Sequence, residues 1–284
     1  MVEGQEGVTW PQWLALAHAA EAAGLDGLFR SDHYRSIVRG EPAGALDAWA
    51  TLAGLAAVTA TLRLGTMVSP VTFRRVPVLA KMVTTVDHIS SGRIELGLGA
   101  GWFEAEHDAY GFAFPPLRER LDELDRQLAE IVRHWTEAPE LQPKPLQQPR
   151  PPIIVGGTAK PRTVRAAVAY ADEYNTVWPT VDEARDRKRV LDGAAAAAGR
   201  EPLRFSMMTG CVVGRDRGEV DDRLAQFKAL TGNDQPAISG TVDEVVARLR
   251  EYEAVGVERA MLQHLVHEDV EMVTVLGEVA SHLG

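Results

Sequence analysis

One cysteine, Cys211, stands in 284 residues. That excludes an internal disulfide and any cysteine-built metal site, and it leads to the expectation of a reducing, cytoplasmic setting. Basic residues are outnumbered, 30 Lys and Arg against 40 Asp and Glu, for a formal net charge of -10. The whole chain therefore carries no electrostatic footprint for DNA or RNA, and nucleic acid is a poor candidate partner. Long apolar runs are missing as well. The Ala-rich stretches are broken by Asp, Glu or Arg before they reach the ~20 residues of a membrane span. Residues 1–10 carry two acids, Glu3 and Glu6, and no basic cluster, so no secretory signal is expected there. The chain also lacks the nucleophile elbow of serine hydrolases and the paired histidines of a zinc protease. No metal is expected, and Cys211 reads as a buried, inert thiol.

What is present is ordinary globular material, 45% hydrophobic and 25% charged, arranged in two alternating periods. Short β-branched or Leu-rich runs predict strands at about 1–4, 26–31, 62–68, 93–99, 152–156, 173–178, 203–213 and 259–265. Between them, stripes of helical spacing recur: Trp10, Trp13, Leu14 and Ala17; Leu79, Met82, Val83 and Val86; Leu121, Leu124, Leu128, Ile131 and Trp135. Thr9 with Gln12, and Thr241 with Glu244, have the form of capping boxes. Eight strand-then-helix units in 284 residues give about 35 residues each, the size of a βα unit in a TIM barrel. The predicted fold class is therefore α/β, a (β/α)8 barrel spanning 1–284 as one domain. An open doubly wound sheet would need a Gly-rich fingerprint after its first strand, and Gly4-Gln5-Glu6-Gly7 is not one. Residues 137–152 hold six prolines and read as an extended connector within the barrel. The first strand is expected to be short.

In such a barrel the site is built at the C-terminal ends of the strands. That rule selects Glu3, Asp32-His33, Met67-Val68-Ser69-Pro70, Gly99-Ala100-Gly101-Trp102, Gly156-Gly157-Thr158, Trp178, Thr209 and Gln263-His264. Asp32 beside His33 could fix an imidazole tautomer for proton transfer near neutral pH, or could be a turn residue beside a hydrogen-bonded histidine. Glycines 99 and 101 let a flat ring approach the main chain, or mark a bulge. Gly156-Gly157-Thr158, just before a helix, offers N–H and hydroxyl donors to a phosphate, or caps that helix. Glu104, Glu106 and His107 lie close together, and read as capping acids and a loop histidine rather than ligands.

These segments resemble the luciferase-like monooxygenase and reductase family, particularly its branch using coenzyme F420, a 5-deazaflavin. The matching residues are Ala22-Ala23-Gly24-Leu25-Asp26 leading to Ser31-Asp32-His33; Leu62-Arg63-Leu64-Gly65-Thr66; and Pro77 to Lys81 running through Asp87-His88-Ile89-Ser90-Ser91-Gly92-Arg93 to Gly97-Leu98-Gly99-Ala100-Gly101-Trp102. Glu104 to His107, Tyr110-Gly111, Pro151 to Gly157 and Tyr170-Ala171-Asp172 continue the likeness. The resemblance implies a barrel holding a flavin or deazaflavin in its mouth. Gly156, Gly157 and Thr158 would hold the phosphate, an irregular peptide at Met67-Val68-Ser69 would back the ring, and Gly99, Ala100 and Gly101 would line its edge. His33, oriented by Asp32, would transfer the proton. Glu3, Trp102, His107, Trp178 and Gln263 would face the substrate. Where a similar F420-dependent sugar-phosphate dehydrogenase carries an acid after its Gly-x-Gly, this chain has Trp102, which argues against a sugar phosphate.

The expected activity is F420-dependent hydride transfer to or from a small organic molecule. An FMNH2-dependent monooxygenase and a non-catalytic flavin-binding protein are the alternatives. A deazaflavin does not form the oxygen adduct of a reduced flavin productively, so cofactor identity decides the reaction class. A homodimer without nucleic-acid or membrane partners is expected.

Overall fold

The computed structural model describes residues 1–40 and 43–283. Its strands are β1 (Gly27–Arg30), β2 (Arg63–Thr66), β3 (Ser69–Pro70), β4 (Ile94–Gly99), β5 (Ile153–Gly157), β6 (Glu173–Val177), β7 (Arg204–Gly214), β8 (Ile238–Thr241) and β9 (Arg259–Gln263). The helices are α1 (Trp10–Ala22), α2 (Ala48–Val58), α3 (Val76–Ile89), α4 (Glu104–Tyr110), α5 (Leu117–Thr136), α6 (Pro161–Tyr170), α7 (Val181–Ala197), α8 (Arg217–Thr231), α9 (Val242–Glu253) and α10 (Glu271–Ser281). None of them is long and apolar enough to cross a membrane among the described residues.

All strand pairings between named strands are parallel, in the order β1-β2-β4-β5-β6-β7, with β9 continuing from β7. The ring is completed by a single residue. Val2 bridges Arg30 on one side and His264 on the other, fixed by Val2 N–H to the Phe29 carbonyl at 2.9 Å and His264 N–H to the Met1 carbonyl at 2.9 Å. The expected strand at 1–4 is thus one bridge, because Gly4–Glu6 turns at once into a 3-10 helix. The fold is a TIM barrel with a vestigial first strand. One feature departs from the eight predicted units and another follows the expectation. β7 runs on past β9 to pair with β8, which follows Pro236, ends on the capping Thr241 and is not among the predicted strands. Residues 137–152, as expected of the proline run, form neither helix nor strand beyond the first turn-like positions; Asp87 holds them by accepting bonds from the Leu146 and Gln147 amides at 2.6 and 3.1 Å.

Strand period divides the core. Leu28, Leu64, Ile153, Val155 and Met207 point outward to Trp13, Trp49, Leu79, Leu128 and their neighbours on the helices. Their sequence neighbours Phe29, Ile154 and Met208 point inward and join Met1, Met67, Val68 and Met261. Both capping boxes foreseen at Thr9 and Thr241 form, with Thr9 N–H to Gln12 and Thr241 N–H to Glu244 at 2.8 Å each.

The N-terminal end of the barrel is closed by charge. Glu95 accepts from Arg259 at 2.8 and 3.2 Å and from Arg63, while Glu173 lies 3.1 Å from Arg259. Burial opposes the charge on Glu95, but the two guanidiniums outweigh it and hold its pKa below the usual range. Glu173 keeps less of the shared cation, and burial drives its pKa up.

Candidate active site

The C-terminal ends of the strands gather at the opposite end of the barrel. His33 follows β1 and keeps 15% of its side-chain surface exposed. Its Nδ1 lies 2.7 Å from the Glu106 carboxylate. Glu106 is fully buried on the first turns of α4, where it also accepts the backbone N–H groups of Tyr34 and of Arg35, the latter at 3.0 Å. Three donors on one carboxylate fix the chain after β1 against α4. Tyr110, one turn further along α4, adds a bond from its hydroxyl to the Tyr34 carbonyl at 3.1 Å. Burial works against a charged His33, yet the bond to Glu106 and its charge prevail, so the imidazole pKa is raised. With Nδ1 occupied, Nε2 has no protein partner among the described residues. Trp102 and Phe103 stand edge-on to the ring at 5.7 and 6.1 Å.

Asp32 does not orient His33. Its carboxylate is taken by Ser69 Oγ at 2.6 Å and by both arms of Arg74. Arg74 also reaches Asp47 at 2.8 Å and the Tyr34 hydroxyl at 3.0 Å, tying the loop after β1 to the loop after β3. Neighbouring residues leave the chain on different sides, so sequence adjacency made the wrong pair. Glu106 was the missed partner. The signal available was the helical pairing of Glu106 with Tyr110, four residues apart on one face.

Between β2 and β3 the Met67-Val68 peptide is cis, as the resemblance implied. Val68 leans over β4, where a Cβ on Gly99 would sit 2.6 Å from Val68 Cγ2 and one on Gly97 2.1 Å from the Thr66 carbonyl oxygen. The glycine at 99 therefore makes room for Val68 and not directly for a ring. Ser69 is buried, bonded to Asp32 and accepting the Trp49 indole N–H at 3.0 Å. Ala100 and Gly101 are half-buried beside Trp102, which is 62% exposed.

Gly156, Gly157 and Thr158 end β5, but helix α6 begins at Pro161 with Lys160 as its N-cap. Thr158 is exposed and does not cap it. Gly157 is fitted closely, since a Cβ there would lie 2.8 Å from the Tyr174 hydroxyl. Trp178 follows β6 and donates its indole N–H to Gln263 at 2.9 Å; Gln263 donates to Glu3 at 2.6 Å. Two histidines leave the site. His107 is buried, with its ring nitrogens 2.8 Å from the Phe103 carbonyl and 2.7 Å from Thr72 Oγ1, so it is a structural residue and not a substrate contact. His264 is buried in the wall, and desolvation pushes its pKa down to about 4.

The arrangement leaves His33 Nε2 able to exchange a proton at the strand-end side of a barrel whose interior holds the apolar cluster of Phe29, Met67, Ile154 and Met261 with Val68 and Met208. A family model described as luciferase-like monooxygenase matches residues 2–235. An uncharacterised protein of Mycobacterium tuberculosis is 31% identical over 199 residues, a match spanning 65% of this chain and 66% of that protein. A phthiodiolone/phenolphthiodiolone dimycocerosates ketoreductase of the same species is 26% identical over 298 residues, covering 92% of this chain and 75% of the relative. Among solved structures, an F420-dependent secondary alcohol dehydrogenase in complex with an F420-acetone adduct superposes with a TM-score of 0.82 at 17% identity, covering 100% and 98% of the two chains. The oxygenating constituent of 3,6-diketocamphane monooxygenase from Pseudomonas putida, in complex with FMN, gives 0.80 at 16% identity with the same coverage. With its barrel closed through Val2 and its matched stretch running from Val2 into β7 and α8, the chain belongs to the luciferase-like monooxygenase family.

Proposed function

We propose that this protein is a coenzyme F420-dependent oxidoreductase that moves a hydride between the deazaflavin C5 and a small organic substrate, with His33 as proton donor or acceptor. The observation that carries this reading is the His33 and Glu106 pair. Reduction of a carbonyl needs a proton at the new hydroxyl, and an imidazole with Nδ1 anchored and Nε2 unpartnered supplies one. The raised pKa, set by the bond to Glu106 and its charge against burial, makes the imidazole hold that proton to higher pH than an unpaired histidine would. Likeness to a ketoreductase supports reduction over oxygenation.

The residues of the mouth suit a flat ring with a phosphate tail. Val68 is half-buried over an inward cluster of Phe29, Met67, Ile154 and Met261, an apolar and adaptable support for a planar face. Ser69 braces that support from behind, and Ala100 and Gly101 would border the ring. Gly156 and Gly157 present bare main chain, and Thr158 adds an exposed hydroxyl, which suits an anion. When bound, coenzyme F420 supplies or accepts the hydride. The protein's own work is to seat the ring against Val68, to hold His33 through Glu106, and to exclude water with Trp102 and Phe103. Glu3, Trp178 and Gln263 would flank the substrate.

Both F420 and FMN enzymes share this fold, so an FMNH2-dependent monooxygenase is the competing reading. Titration of the purified protein with F420 and with FMN, followed by each cofactor's own fluorescence, separates them. We expect F420 to bind at about micromolar Kd or tighter and FMN at least about tenfold more weakly. Tighter FMN binding overturns the deazaflavin assignment, and binding of neither overturns both readings.

A further inference from the structure

We propose that Trp178 forms the wall of a subsite for an uncharged, flat, apolar substrate, and that Gln263 and Glu3 hold that wall in position. This inference rests on reading the barrel mouth as the active site. Trp178 is 62% exposed, and a large exposed indole ordinarily moves freely. This one is held at two points. Its backbone adopts φ of 42°, a region bulky residues rarely enter, with its N–H donated to the Met208 carbonyl at 2.8 Å. Its indole N–H is held by Gln263, whose carboxamide donates in turn to Glu3. Gln5 donates to the other Glu3 oxygen at 2.8 Å and accepts from the Ser31 hydroxyl. Glu3, Gln5, Ser31 and Gln263 are all buried. A chain of buried polar groups that orients an exposed aromatic face preorganises that face for a ligand.

The charges around the mouth define what that ligand is. Arg74 is committed to Asp32, Asp47 and Tyr34. Arg187, beneath the end of β6, is committed to Thr176, the Val177 carbonyl and Glu183. Arg35 donates to the Ala105 carbonyl. The carboxylate nearest Trp178 along the hydrogen-bond chain is Glu3, which repels an anion. The hydrophobic rings of Trp102 and Phe103 stack on each other at 5.3 Å beside His33. A neutral ring bearing a carbonyl or hydroxyl fits the aromatic surfaces of Trp178, Trp102 and Phe103 and leaves the His33 Nε2 to its polar atom, whereas a carboxylate beside Trp178 meets Glu3 and none of Arg74, Arg187 or Arg35 is directed to it.

The test uses the full-length protein with and without cofactor, and two probes of equal ring size: neutral 2-naphthol and anionic 2-naphthoate at pH 7. Binding is read from probe fluorescence. We expect 2-naphthol to bind at least about tenfold more tightly than 2-naphthoate. Trp178→Ala should weaken 2-naphthol by about tenfold or more, and Trp178→Phe by no more than about threefold. Gln263→Leu should weaken it severalfold in the wild-type background yet change nothing in Trp178→Phe, which has no indole N–H to hold. Equal affinity for the two probes overturns the substrate class. Unchanged 2-naphthol binding in a folded Trp178→Ala, or loss of F420 affinity in its place, overturns the wall. An equal effect of Gln263→Leu in both backgrounds overturns the positioning role. Trp178-dependent 2-naphthol binding by a protein that takes up neither F420 nor FMN would leave this inference standing and sink the cofactor reading.

Discussion

At the N-terminal end of the barrel strands, Arg63, Glu95, Glu173 and Arg259 close on one another; at the C-terminal end, Glu106 and His33 also form a buried acid-base pair, but one member keeps a nitrogen unpartnered. Similar side chains thus do different work at the two ends. Below, the guanidinium of Arg259 reaches both carboxylates, and the group has little left to offer a ligand. Above, the carboxylate is saturated by His33 and two amides while the imidazole is not. In the function proposed above, the upper pair does chemistry and the lower does not because only the upper one leaves an imidazole nitrogen unpartnered among the described residues.

The comparison breaks most visibly at His33. His33→Asn should reduce turnover by about 10²–10⁴ while leaving cofactor affinity and melting temperature near wild type. A loss of melting temperature with normal turnover per folded molecule would make His33 structural, like the residues below. Arg259→Leu is the mirror test. It removes the cation shared by two buried carboxylates, leaving Glu95 to Arg63 and Glu173 without its near partner, and should cost about 3–5 kcal/mol in denaturant unfolding, with turnover per folded molecule unchanged. Activity lost without stability would refute the division of labour.

A smaller effect sharpens the upper pair. Glu106 holds the His33 pKa above its ordinary 6.5, against burial. Reduction that uses the His33 proton is therefore fastest at low pH and falls as pH rises through the folded pKa. Glu106→Gln removes the raising charge, so the falling limb of the rate profile should move to lower pH. The same linkage means this pair stabilises the fold below the unfolded imidazole pKa and loses that contribution as pH climbs through the raised value. A limb that stays in place would mean that another group delivers the proton.

The smallest effect distinguishes the two lower acids. Glu95, with its pKa lowered, contributes stability above the ordinary carboxylate pKa and loses it as pH falls. Glu173, with its pKa raised by burial, weakens the fold at neutral pH and is relieved as pH drops. Glu95→Gln should therefore destabilise, whereas Glu173→Gln should be neutral or mildly stabilising at pH 7. Equal losses would mean the two share Arg259 evenly.

Much of this molecule could be read from short spans of sequence. The alternation of strand and helix, the caps at Thr9 and Thr241, and the proline-broken connector all depend on contacts within about four residues, so local period and composition report them. The barrel followed from counting those units, and the mouth followed from the barrel. What escaped was set at long range. β8 has four residues, Gly240 among them, just after Pro236, too little pattern to register, and it exists because β7 offers an edge. Val2 closes the ring because Arg30 and His264 arrive on either side of it.

The site divides in the same way. Sequence alone picked out His33, Val68, Gly157, Trp178 and Gln263, since each follows a strand and the fold turns strand ends into a mouth. It could not select the acid that holds His33, because the hydrogen bond to Glu106 joins residues 73 apart in the chain, whereas Asp32 is adjacent and was claimed by Arg74 from another loop. Nor could it show that His107 is sealed between Phe103 and Thr72. Periodicity states which residues face the barrel axis; which of them meet, and which keep an atom unpartnered, depends on strand order and on competition among donors that only the closed barrel brings together.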